Sequence, residues 1–79
     1  MLASVKLNLT ALTTAARKAG DTWPDGRLRL SAIARRTGVD PAVVSRVTRA
    51  RNFPSAANLR RLATGYGLTV DQLLQSSDD

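Results

Sequence analysis

The side chains with most chemistry to offer are the arginines between residues 27 and 51. Arg27, Arg29, Arg35, Arg36, Arg46, Arg49 and Arg51 stand against one acid, Asp40, so this segment alone carries +6. Elsewhere Lys6, Arg17, Lys18, Arg60 and Arg61 are balanced by Asp21, Asp25, Asp71, Asp78 and Asp79. A guanidinium is a planar fork of N–H donors that matches phosphate oxygens. Such groups gathered in one segment are the electrostatic footprint of a polyanion binder. The preference for arginine over lysine is what a GC-rich genome gives any surface, but it does not explain the concentration.

Other chemistries are poorly supplied. The chain has no cysteine and no histidine, which removes thiolate nucleophiles, disulfides, and the commonest general base and zinc ligand. The acids are all aspartates, and no two are placed as a catalytic pair. No enzyme, metal site, cofactor or small-molecule ligand is expected. Apolar runs are two or three residues long, too short to span a membrane, and Lys6 and Asn8 interrupt the N-terminal apolar positions where a signal peptide would be continuous. A cytoplasmic location is the expectation.

The arginines need a scaffold, and 79 residues provide one small domain, 1–79. Leu9, Leu12, Ala16 and Ala19 recur at helical steps, predicting a helix from about Asn8 to Ala19, capped by Ser4 or Asn8 and ended by Gly20. Residues 1–7 read as helix or as a short strand, because Val5, Leu7 and Leu9 also alternate. "DTWPDGR" is a loop. A short helix over Leu30–Thr37 breaks at Gly38. Asp40 then caps a helix beginning at Pro41 and running to about Arg49, with Val44 and Val47 inward. Ser55 caps a fourth helix that carries Leu59, Leu62 and Ala63 and stops near Gly65-Tyr66-Gly67. Thr69 and Gln72 form a capping box for a fifth helix with Val70, Leu73 and Leu74. The tail, 76–79, is polar and expected to fray. The fold class is all-α: a compact bundle of about five short helices. Trp23 and Tyr66 are expected to pack rather than to stack on bases.

Two helices joined by a Gly-containing turn, the second rich in arginine, form a helix-turn-helix pattern over about 30–49. The sequence resembles the phage Cro/repressor-like helix-turn-helix family, of the xenobiotic-response-element type, over about residues 28 to 75. Ala34 lies where the family needs a small residue at the helix crossing. Gly38 lies at the turn, Val39, Val44 and Val47 fill the apolar positions, and "FPSAANLRRLATGYGLTVDQLL" matches the family's ending. "VSRV" also resembles the recognition helix of the lac-repressor family. The chain departs from the pattern at Thr37, usually apolar, at Leu30, often Gln, at Thr48 and Ala50, and in the long connection around Trp23.

The resemblance implies a lambda-repressor-like DNA-binding domain whose second motif helix enters the major groove. Arg46 is then the candidate for reading guanine O6 and N7 together. Ser45 is placed for a phosphate or base edge, and Ala42 and Val43 for a thymine methyl. Arg49, Arg51 and Asn52 lie where phosphates run, and Arg35, Arg36 and Arg29 lie on or before the helix that crosses the backbone. The implied function is sequence-specific binding of double-stranded DNA by a transcriptional regulator of a phage or mobile element, acting by operator occupancy. An antitoxin or an excisionase-like recombination accessory are the alternatives. One such helix reads few base pairs, so a homodimer on a near-palindromic operator is expected. Its pairing surface is either the fifth helix, with Leu73 and Leu74, or the N-terminal stretch with Leu2, Val5 and Leu7.

Overall fold

The computed structural model describes residues 5–49 and 53–76. Strand β1 (Val5–Leu7) leads into α1 (Leu9–Ala19). The Asn8 side chain accepts the Ala11 N–H at 3.0 Å, which chooses Asn8 over Ser4 as the cap. Helices α2 (Leu30–Thr37), α3 (Pro41–Thr48) and α4 (Ala56–Gly65) follow, α2 ending at the left-handed Gly38 and α3 and α4 starting at side-chain caps. Asp40 accepts from Ala42 N–H at 2.8 Å and Ser55 from Asn58 N–H at 3.2 Å. Each bond satisfies a donor that the first helical turn leaves open. Among the described residues no helix is long and apolar enough to cross a membrane.

The inward faces meet in one core of Leu12, Ala16, Ile33, Ala34, Val39, Val44, Val47, Leu59, Leu62, Ala63 and Leu73. Gly38, at φ +75°, turns the chain between α2 and α3 while its N–H donates to Ala34 O at 2.8 Å. A β-branched residue is strained at that φ. Thr37 is buried where an apolar side chain is usual, yet its hydroxyl is satisfied. It donates to Ile33 O at 2.7 Å and accepts from Val39 N–H at 3.3 Å, avoiding the penalty of an unpaired buried group. The C-terminal ends of α2 and α4 touch: a Cβ on Gly65 would lie 2.7 Å from Thr37 Cγ2 and 3.2 Å from Arg36 O.

The expected five-helix, all-α bundle is corrected at one end. The capping box forms, with Thr69 N–H donating to Gln72 Oε1 at 2.8 Å and Gln72 N–H to Thr69 Oγ1 at 3.2 Å. It starts only a single 3-10 turn, Asp71–Leu73, after which Leu74 is extended and opens β2 (Leu74–Ser76). β2 pairs antiparallel with β1, setting Val5 opposite Ser76, Lys6 opposite Gln75 and Leu7 opposite Leu74. Only Leu74 and Gln75 separate the turn from the weak helix formers Ser76, Ser77 and Asp78, too short a run to repay nucleation, whereas β1 offers backbone partners. Among the described residues the fold is therefore four helices, a 3-10 turn and a two-stranded sheet. The two segments expected as rival dimer surfaces pair with each other as strands; Leu7 and Leu74 are half-buried against the core, Val5 is exposed, and Leu2 lies outside the described residues.

Candidate nucleic-acid interface

Helix α3 is anchored on one side and open on the other. Val44 and Val47 are buried, while Ala42, Arg46 and Arg49 are exposed and Ser45 is half-buried. Among the described residues neither Arg35, Arg46 nor Arg49 has an ion-pair partner. These three guanidiniums are available to an external anion at no cost in broken pairs. Val43 lies between the two states expected for it. It is half-buried and, with Arg46, Phe53, Pro54 and Asn58, lines a shallow recess of about 160 Å³ between α3 and the start of α4. Arg51 and Asn52 lie outside the described residues.

Arg36 and Arg29 are engaged within the protein, which separates them from the other candidates. The Arg36 guanidinium donates from Nε to Asp21 Oδ2 at 2.6 Å and from Nη2 to Asp21 Oδ1 at 3.2 Å, and reaches Ala19 O at 3.3 Å. Side chains on a helix lean toward its N-terminus, and this lean carries Arg36 back toward the end of α1. Tyr66 donates its hydroxyl to the same Asp21 Oδ2 at 2.7 Å, and Arg36 sits over its ring at 5.7 Å. The Arg36 hydrogen bond, helped by that from Tyr66, holds the Asp21 carboxyl below the usual carboxylate range although burial pushes the other way. Burial, then the bond to Asp21, pushes the Tyr66 phenol upward, and the same carboxylate raises Arg36. Tyr66 thus packs, as expected.

Arg29 precedes α2 and stacks on Trp23, 4.7 Å from the ring centroid. Trp23 packs within its own loop, under Arg29, and not in the core, being 45 % exposed. The expected loop is a tight hairpin. Thr22 and Leu28 form an antiparallel bridge, Trp23 N–H donates to Arg27 O at 2.8 Å, and Gly26 N–H donates to Trp23 O at 2.8 Å.

Phe53 is the feature that reading the sequence missed. It is 51 % exposed beside Arg46, and its one local signal is an aromatic immediately before the Pro54-Ser55 start of α4.

The α2–turn–α3 unit packs with α4 into a core and presents one arginine-bearing face of α3. A family model described as a helix-turn-helix domain matches residues 9–75. No curated protein and no solved structure matches the chain. Since that match takes in all four helices, the 3-10 turn and the turn at Gly38, the chain belongs to the helix-turn-helix domain family.

Proposed function

We propose that the protein is a sequence-specific double-stranded DNA-binding regulator of transcription, Cro- or repressor-like and of phage or mobile-element origin, that acts in the cytoplasm by occupying an operator. The observation that carries the reading is the two-sidedness of α3: Val44 and Val47 fasten it to the core, and Arg46 and Arg49 stand exposed on its other side with no ion-pair partner among the described residues. In a helix-turn-helix domain that face enters the major groove. Arg46 supplies base readout and Ser45 a polar contact, with Ala42 and the rim of Val43 as apolar neighbours. Arg49 and Arg35 neutralise phosphates. Arg36 is not assigned a DNA contact, because its Nε and Nη2 are bonded to Asp21 and Ala19 and its charge is paired with the Asp21 carboxylate.

One α3 reads few base pairs, so two copies are assigned to a near-palindrome with half-sites about 34 Å apart. The test is selection of bound duplexes from a random pool, followed by the stoichiometry on the selected site. Enrichment of an inverted repeat bound by two copies is expected. A pool that stays random after repeated rounds refutes sequence-specific binding, and one copy per selected site refutes the dimer.

A further inference from the structure

We propose that the hairpin Asp21–Arg29 is a second DNA-contacting element, laying Trp23 and the stacked Arg29 guanidinium on the sugar–phosphate backbone that flanks the bases read by α3. This rests on the DNA-binding reading of α3 and extends it to a segment longer than the helix-turn-helix pattern requires.

The hairpin holds its shape without help from a partner. Its strands are bridged at Thr22 and Leu28, Arg27 N–H donates to Asp25 Oδ1 at 3.0 Å, and Arg29 N–H donates to Asp21 O at 2.9 Å. Leu28 packs against the core, and the Asp21 side chain is locked by Arg36 and Tyr66. A frame so fixed holds out a nearly half-exposed indole, which packing alone would bury.

Around the indole the chemistry suits a phosphodiester. The guanidinium of Arg29 lies over the ring at 4.7 Å from its centroid, a cation–π contact that holds the group in place without consuming its N–H donors. Arg27 pairs with Asp25 at 2.7 Å, but the two side chains are 78 % and 53 % exposed. A pair so open to water is weak, and Arg27 can turn to a stronger anion. The apolar edge of the indole matches deoxyribose. Position agrees with chemistry, since Arg29 immediately precedes α2, the helix that crosses the DNA backbone in this motif.

Trp23 is the only tryptophan in the chain, so its emission reports on this hairpin alone. The selected duplex, with and without about one helical turn of flanking DNA, is titrated into the protein. Binding is followed by anisotropy of labelled DNA, and Trp23 by emission and acrylamide quenching. With the flanked duplex, Trp23 emission should change and acrylamide access fall. Trp23→Ala and Arg29→Ala should each weaken that complex about five- to tenfold and weaken the complex with the short duplex by less. Should Trp23→Ala fail to fold, the wild-type quenching decides alone. Binding by anisotropy with unchanged emission and quenching overturns the hairpin contact and leaves the α3 reading standing. Protection of Trp23 that tracks protein concentration without DNA makes the hairpin a protein–protein surface and also overturns it. No duplex binding at all overturns both.

Discussion

Arg36 and Asp21, fifteen residues apart, meet through two hydrogen bonds, Nε to Oδ2 at 2.6 Å and Nη2 to Oδ1 at 3.2 Å. The carboxylate is the meeting point of three elements: Asp21 follows α1, Arg36 belongs to α2, and Tyr66 follows α4. Its side chain is only 7 % exposed, while that of Arg36 is 40 % exposed. Removing the guanidinium leaves a buried carboxylate with Tyr66 as its remaining side-chain donor. Arg36→Met should therefore cost about 1–3 kcal/mol, toward the lower end because water reaches the vacated site. Urea denaturation measures it. In DNA binding the same variant should keep the wild-type slope of log affinity against log salt. A shallower slope would return Arg36 to the phosphate contacts.

The same cluster sets the response to acid. Asp21 has a lowered pKa in the folded protein, so the folded state binds fewer protons than the unfolded one. Its contribution is complete above the unfolded value of about 3.9 and is lost as pH falls through the lower folded value. The urea midpoint of the wild type should drop across that window. Asp21→Asn should start from a lower midpoint and drop less. Parallel curves would show that Asp21 carries no acid sensitivity.

At the alkaline end Tyr66 gives the opposite signature. Its pKa is raised, so its contribution is complete below the unfolded value of about 10 and is lost as pH rises through the folded one. It is the only tyrosine, and phenolate absorbance therefore reports it directly. The absorbance rise should be displaced to the alkaline side of free tyrosine, and urea should return it to the ordinary position.

For the interface, Arg46 and Arg49 should fail in different ways. Arg46→Ala should lose roughly 1–3 kcal/mol on the selected site and relax preference at one base pair. Arg49→Ala and Arg35→Ala should weaken all duplexes alike and each reduce the salt slope by about one. Equal loss on selected and random DNA for Arg46→Ala would make Arg46 a phosphate contact.

Gly65→Ala tests the contact between helix ends. The added methyl meets Thr37 Cγ2 at 2.7 Å and Thr37 Cα at 3.0 Å, and such overpacking costs about 1–3 kcal/mol. Adding Thr37→Ser, which removes Cγ2 and keeps the hydroxyl, should recover part of the loss. It cannot recover all, because the Cα and the Arg36 carbonyl remain in the way. Full stability in Gly65→Ala would mean that the two helices are free to separate.

What the sequence made legible was local. Asp40, Ser55 and Gly38 act on backbone groups a few residues away, so their types and spacing were enough to mark the starts of α3 and α4 and the end of α2, while the cap of α1 stayed open between Ser4 and Asn8. Much of the core followed from helical periodicity, at Leu12, Ala16, Val44, Val47, Leu59, Leu62 and Ala63; Val39 came from the family pattern, and Leu73 is buried although the helix expected to carry it is a single 3-10 turn. Pairings across the chain were hidden. Nothing near Arg36 marks Asp21 as its partner, and Tyr66 lies forty-five residues from that carboxylate. The apolar Leu74 read as helix because Thr69 and Gln72 announce one. Only the presence of Val5–Leu7 alongside turns it into a strand. On α3 the anchored face was readable from Val44 and Val47, whereas Phe53 reaches its place beside Arg46 by tertiary packing alone.

The pairing of Val5 with Ser76 has a use in protein engineering. Paired strands lie about 5 Å apart, so the polypeptide enters and leaves the domain at nearly one point. A domain with adjoining entry and exit can be spliced into a surface loop of a host protein without prising the host's loop ends apart. The arginine-bearing face of α3 would then be carried as a cassette, joined to its host through the small sheet.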